Sequence, residues 1–438
     1  MTKLTTTVGS TALALSLTIN AVGSATITRE PTPSPMPVID TVRAAEYWLE
    51  STHVRDAWQV TKGAGQLIAV LDTGIGRGPA FDGVVAGTDV SGIGAPDGRT
   101  PVGVKDREHG TLVASVAAGR PGPDDTGMIG VAPDAELLAI SVDFPGTTSP
   151  VPFTQQVADG IVWAVDNGAD VINLSFTTNT RDWDPLWDDA FLYAYEHDVV
   201  VVTAAGNRGG GTNVVGAPAT IPGVLAVAGV DRNGAASREA STQGITIGVS
   251  APSEHLIGIT SGGSVEDWNG TSGAAPIVSG IVALVRAAHP ELDAGQVIDR
   301  VLSTADPVGT GGELDPIYGR GIVNAYNAVT ADIPAASTNP ADQLEEWIRL
   351  HRRARVDPVP LPTDTPVAIP PLPRPDRVAE TSPLLPDRDT LLYGTLPLIA
   401  FTMPAIMIGL GVTAATRRIR LGREQHRQTR DGRKDALG

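Results

Sequence analysis

The stretch QLIAVLDTGIG, residues 66–76, decides the fold. Its apolar run from Leu67 to Leu71 does not alternate with polar residues, so both faces of the segment must be covered, as in a parallel strand inside an α/β protein. Four more runs share this character: AELLAISV (135–142), VINLSF (171–176), VVVVTAAGN (199–207) and VLAVAGV (224–230). Helical periodicity lies between them. QQVADGIVWAVDNGA (155–169) puts Val157, Ile161, Ala164 and Val165 on one face and stops at Asn167-Gly168, and DPLWDDAFLYAYEHD (184–198) plays the same part before the next run. Alternating strands and helices predict a doubly wound α/β domain with a parallel central sheet and helices on both faces. In such sheets the chemistry gathers at the carboxyl ends of the strands. Asp72 stands at such an end.

A second Asp-Thr-Gly triplet, in PDDTGMIG (123–130), raises the paired carboxylates of an acid protease. Each half of such an enzyme needs a lobe of about 100 residues, more than the distance from Asp72 to Asp125 allows. The second triplet follows GRPGPD rather than a strand, and Asp125 is expected in a surface turn.

Composition narrows the classes. The 438 residues include 49 glycines, 42% apolar residues and no cysteine, so a disulfide framework, a thiol nucleophile and cysteine-held zinc are all excluded. The net charge is −17, yet residues 417–438 carry eight Lys and Arg against three acids, leaving 24 basic and 46 acidic residues, or −22, for the rest. An acidic body with a short basic tail argues against nucleic acid as a partner. It suits a chain whose ends lie on opposite sides of a membrane.

The ends agree with that division. Residues 1–25 have a lysine at position 3, an uncharged run and small residues near Ala25, which read as a signal peptide. From Leu391 to Thr416 no residue is charged, and at about 1.5 Å per residue such a helix exceeds a hydrocarbon core of about 30 Å. Pro397 and Pro404 are tolerable there. The basic tail, 417–438, marks the cytoplasmic side, which places the body outside the cell on a single-pass anchor. Residues 331–390 are proline-rich and read as an extended linker, with ADQLEEWIRLHRRARV (341–356) as an amphipathic helix carrying Leu344, Trp347, Ile348 and Leu350 on one side.

Three motifs carry the chemistry: DTG at Asp72, REHGTLVASVAAG (107–119) with His109 at a helix start, and NGTSGAAPIVSGIVALVRAAHP (269–290) with Ser272 at the mouth of a long apolar helix. Each alone is weak. Together, in the order Asp, His, Ser, they match one arrangement of the catalytic triad, and residues 45–330 resemble the subtilase family of serine proteases. A serine hydroxyl needs an imidazole to take its proton, and the imidazole needs a carboxylate to fix its tautomer. The resemblance implies a subtilisin-like fold, Asn207 in the oxyanion hole, and substrate binding along Ser175 and the Ala204, Ala205, Gly206 segment. Gly270 and Gly273 are expected to leave room for substrate. Many subtilases carry Ser-Leu-Gly where this chain has Ser175-Phe176-Thr177, so a narrower cleft is expected.

The order of segments, with YWLESTHVRDAWQVTKGAGQ before the first strand and GVAPDAEL within the domain, resembles the mycosins, membrane-anchored subtilases of type VII secretion systems. This implies secreted protein or peptide substrates, a cell-membrane location and association with a type VII secretion membrane complex. The alternative is a mainly structural subunit of that complex. Mycosins commonly carry disulfides, and this chain has none. The extension 26–44 is too short to fold as an inhibitory propeptide, since chains below about 40 residues rarely fold alone; it is expected to wrap the domain surface. The chemistry needs no cofactor. Asp124, Asp125 and the acids near His109 offer oxygen ligands for calcium without forming a clear motif, and His53, His197, His255 and His289 lack metal-ligand spacing.

Overall fold

The structure, a computed structural model, describes residues 40–104, 106–145, 149–308, 315–334, 338–352 and 390–434, with side chains up to 423 in the last span. The expected signal peptide, most of the 26–44 extension and the proline-rich part of the linker lie outside the described residues. The chain forms two compact units, Met1–Asp357 and Pro358–Gly438.

The first unit is built on seven parallel strands: β1 (Leu67–Asp72), β2 (Val84–Asp89), β3 (Glu136–Ser141), β4 (Val171–Leu174), β5 (Val200–Ala204), β6 (Leu225–Val230) and β7 (Ile247–Pro252). They lie in the order β2-β3-β1-β4-β5-β6-β7. A separate antiparallel hairpin pairs β8 (Leu256–Ile259) with β9 (Val265–Trp268). Its helices are α1 (Thr41–Ala45), α2 (Tyr47–Ser51), α3 (Val54–Ala57), α4 (His109–Ala118), α5 (Phe153–Asp166), α6 (Leu186–Glu196), α7 (Thr271–Ala288), α8 (Ala294–Ser303), α9 (Ala325–Thr330) and α10 (Pro340–His351).

Strand alternation divides the core into two layers. Ile68 and Val70 face a cluster that includes residues of α4, α7, α8 and α9, while Ala69 and Leu71 face one that includes residues of α5 and α6. Period-two side chains thus serve two apolar faces at once, which is why the run reads as continuously hydrophobic. The five anticipated runs are β1, β3, β4, β5 and β6. Strands β2, β7 and the hairpin do not stand out in the sequence; VVAGTD in β2 and IGVSAP in β7 mix Gly, Ser and Thr with their apolar residues and form no continuous apolar run.

Local chemistry sets the helix limits. Asp293 caps α8 by accepting from Gln296 N–H in a capping box, and Gly168 at φ 80° turns the chain after α5. The amphipathic helix expected within the linker is α10, and it packs on α6. Leu344 is fully buried, the Trp347 and Trp183 ring centroids lie 4.2 Å apart, and Arg352 donates to Asp188 at 2.8 Å. Leu350, expected on the same side, is instead 52% exposed. At about 100° per residue it stands about 120° around the helix from Leu344, off the face that meets α6.

In the second unit, α11 (Leu396–Lys434) follows a short π-helical turn at Thr390–Thr395. Leu391–Arg423 is long and apolar enough to cross a membrane, and none of its apolar stretch is buried. α7 is also long and apolar but is 83% buried, so it is a core helix. The hydroxyls of Thr402, Thr413 and Thr416 donate to the carbonyls of Leu398, Gly409 and Val412 within α11. A hydroxyl satisfied inside its own helix is compatible with hydrocarbon.

Candidate active site

The carboxyl ends of β3, β4 and β5 open onto a cavity of about 880 Å³. His109, Ser175, Ala204, Gly206, Asn207 and Ser272 line it. Asp72 lies behind His109, completely buried. Ala205 is also completely buried and does not reach the cavity; its side chain packs with Ala226 and Ala228.

His109 opens α4, and its Nδ1 lies 2.8 and 2.9 Å from the two Asp72 oxygens. A carboxylate only accepts, so Nδ1 carries the proton and Nε2 is the atom able to take another. The Asp72 carboxylate also accepts Thr73 N–H at 2.7 Å, and the Thr73 hydroxyl accepts Gly110 N–H at 2.9 Å while donating to the Arg107 carbonyl. The β1 turn and the first turn of α4 are therefore stitched together. Burial disfavours the imidazolium, but the charge and hydrogen bond of Asp72, with Asp106 adding, outweigh it and hold His109 above its ordinary value of 6.5.

Ser272 stands at the second position of α7, where backbone N–H groups have no partner within the helix. Pro276 lies one turn later and cannot donate to the Ser272 carbonyl. That carbonyl instead accepts the Ser175 hydroxyl at 2.8 Å. Asn173 donates to Ser175 at 2.8 Å and accepts from Ser279 of α7 at 2.9 Å. A buried polar relay thus pins the serine-bearing turn to β4. The Ser175 side chain supports Ser272, a part that its expected place along the substrate did not suggest.

Asn207 follows β5, and its Oδ1 accepts both the Thr271 N–H at 2.8 Å and the Thr271 hydroxyl at 2.9 Å. This bonding fixes the amide orientation and leaves Nδ2 as a donor beside Gly270. A Cβ at Gly270 would lie 2.7 Å from Nδ2, and its φ of 145° is one that other residues rarely adopt. Gly270 therefore makes room for Asn207. Gly273 differs from expectation too: a Cβ there would meet Leu256 at 2.3 Å and the Trp268 ring at 3.3 Å, so the space serves the hairpin, not substrate.

Aromatic rings wall the imidazole. Phe144 and Trp268 approach His109 edge-on with centroids 6.3 and 5.8 Å away. Phe176 packs against Phe144 and Phe153, and the Thr177 methyl lies 2.7 Å from where a Cβ at Gly206 would stand. Trp268 carries no sequence signal, whereas Thr271 sits inside the GTS motif and was open to recognition.

The other marked residues lie apart. Asp125 is in a surface turn with its carboxylate 3.6 Å from Arg43. His53 faces Asp56, His255 faces Asp267, and His197 and His289 bond to backbone carbonyls. Among the described residues no group of three or more metal-ligating side chains occurs.

The subtilase family model matches residues 63–321. The chain is 34% identical over 369 residues to Mycosin-3 of Mycobacterium tuberculosis, covering 70% of this chain and 75% of the relative. Its structure is similar to that of MycP1 from the ESX-1 type VII secretion system, with TM-score 0.58 and 28% identity over 66% of this chain and 87% of the other. It is also similar to a chain in the periplasmic assembly from the ESX-5 inner membrane complex, with TM-score 0.58 and 26% identity over 77% and 92% of the two chains.

Proposed function

The chain belongs to the subtilase family of serine proteases and is related to the mycosins, and from that premise we propose a membrane-anchored endopeptidase of narrow specificity that cleaves secreted proteins. The observation that carries this reading is the meeting, in one cavity, of an Asp72-oriented His109, the helix-mouth Ser272 and a Thr271-oriented Asn207. His109 Nε2 takes the Ser272 proton as the hydroxyl attacks the scissile carbonyl, and Asp72 stabilises the imidazolium that forms. Asn207 Nδ2 and the Ser272 backbone N–H receive the oxyanion at the positive end of α7. The imidazolium then gives its proton to the leaving amine, and water releases the acyl group from Ser272. Substrate lies as an added strand beside the Ser175 segment, with the Ala204–Gly206 segment on the opposite side of the specificity pocket. Narrow specificity is supported by the Thr177 methyl, which fills space beside Gly206, and by Phe176, which lines the cavity where it packs on Phe144 and Phe153.

The α11 segment supports a membrane anchor, with the catalytic unit outside the cytoplasm and the basic tail inside. A fluorophosphonate probe on the full chain tests the chemistry. Labelling at Ser272 that disappears in Ser272→Ala is expected; folded protein that takes no label counts against the reading.

Similarity to a chain of the ESX-5 periplasmic assembly favours a second reading, a subunit of a type VII membrane complex whose contribution is mainly structural. Complementation of a deletion strain separates the two. Secretion fully restored by Ser272→Ala supports the structural part, and loss of secretion supports the peptidase.

A further inference from the structure

The β8–β9 hairpin joins the helix of the base to the helix of the nucleophile. Residue 108 directly precedes His109 and lines the cavity. It occupies the cap position of α4 but makes no capping bond. Instead its carboxylate reaches the hairpin turn: Oε2 accepts Ser261 N–H at 2.7 Å and Oε1 accepts the Ser261 hydroxyl at 2.7 Å. Two charge-assisted bonds to one residue fix direction as well as distance. Further along the hairpin, Ile259 N–H donates to Ser115 of α4 at 3.0 Å, and a Cβ at Gly258 would lie 2.8 Å from Leu112. The hairpin is thereby laid along α4. Its returning strand alternates so that Glu266 and Trp268 line the cavity, and four residues after Trp268 comes Ser272.

Resting on the peptidase reading above, we propose that Glu108 is a positioning residue: it locks the hairpin onto α4 so that β9 forms the wall that receives the leaving-group side of the substrate. The imidazole delivers its proton to the leaving amine, so the Trp268 ring against His109 borders the space that amine and the residues after it must occupy. No atom of Glu108 needs to touch the reacting centre. It acts through Ser261 and the strand that follows. Gln at 108 retains an acceptor for Ser261 N–H and a donor for its hydroxyl, whereas Ala retains neither.

The experiment compares the full chain with Glu108→Ala and Glu108→Gln on two substrates of the same acyl sequence: a quenched peptide extending several residues past the cut, and a p-nitroanilide that ends at it. Active sites are counted by fluorophosphonate labelling. In Glu108→Ala, kcat/KM for the peptide is expected to fall about tenfold, mainly through KM, with less than a threefold change for the anilide. Glu108→Gln is expected to stay near wild type with an unmoved pH profile. Equal losses on both substrates, or a Gln variant as impaired as Ala, overturns the proposal. Hydrogen exchange reads the lock without any turnover: amides from Ser261 to Trp268 exchange faster in Glu108→Ala, and unchanged exchange overturns it. Failure of wild type to hydrolyse either substrate strikes the peptidase reading instead, leaving the exchange result to decide the lock.

Discussion

At the scale of single residues, the site is decided by which atom each side chain leaves unused. Asp72 occupies His109 Nδ1, so Nε2 faces the reaction, and its charge keeps His109 above 6.5 against the effect of burial. Activity requires neutral imidazole, so kcat/KM should fall as pH drops through that raised value. Asp72→Asn removes the charge and leaves the burial, which moves the acid limb of the profile to lower pH. It also cuts kcat by about 10⁴-fold if the amide imposes the wrong tautomer, as such a change does in another serine protease. A pH–rate profile of both proteins checks the sign, and an acid limb that stays in place argues against Asp72 as the partner. Asn207 shows the same logic, because Thr271 takes its oxygen and leaves Nδ2 as the donor that the proposed mechanism offers to the oxyanion. Asn207→Ala should lose about 100- to 1000-fold in kcat with KM little changed, and should melt a few degrees lower because the buried Thr271 N–H and hydroxyl lose their acceptor; undiminished turnover rejects the role. The residue types were legible in the sequence because DTG, HGT and GTS each combine a reactive group with its turn. Their supports were not: the carbonyl freed by Pro276, the Ser175 relay and Trp268 depend on segments that meet only in the folded chain.

At the scale of elements, legibility followed burial. Strands covered on both faces announce themselves as apolar runs; β2 is only partly buried, the hairpin is exposed along β9, and β7, though buried, is interrupted by Gly248 and Ser250 and ends in Pro252. The N-terminal helices hold a feature with a measurable consequence. Glu46 links α1 and α2 to the loop after Asp125, accepting Ile129 N–H at 2.7 Å beside Arg43 at 3.2 Å. Burial pushes its carboxyl up to about 8, against the pull of Ile129 N–H and Arg43. An unfolded glutamate titrates at 4.5, so below that pH both states hold the proton and the contribution to stability is complete. As pH rises from there through about 8, the unfolded chain gives up its proton first and the contribution is lost. Glu46→Gln cannot titrate and keeps an acceptor for Ile129. Melting temperatures across this range should therefore decline for wild type relative to the Gln variant; parallel curves would show that Glu46 is charged throughout.

At the scale of the whole molecule, two apolar helices of similar length have different fates because of what surrounds them. α7 is wrapped by the core that its own apolar faces create, while Leu391–Arg423 is exposed and has its threonine hydroxyls turned back onto helix carbonyls. The first unit closes at Asp357, so a chain ending there should be released into the soluble fraction, take the fluorophosphonate label like the full chain, and melt at the same temperature. The full chain should stay with membranes through alkaline carbonate extraction. A shorter chain ending at Asp332 behaves differently on the same reasoning. It lacks α10, and with it Leu344, the Trp347 ring packed on Trp183 and the Arg352 bonds to Asp188. Burying a leucine alone contributes about 1.5–3 kcal/mol, and in a domain of this order each kcal/mol moves the melting point by about 2–4 °C. The Asp332 chain should thus melt at least several degrees lower while still labelling at Ser272, since α10 packs on α6 away from the catalytic cavity. Equal melting of the two truncated chains would mean that α10 is part of the tether after all, and that the catalytic unit ends before it.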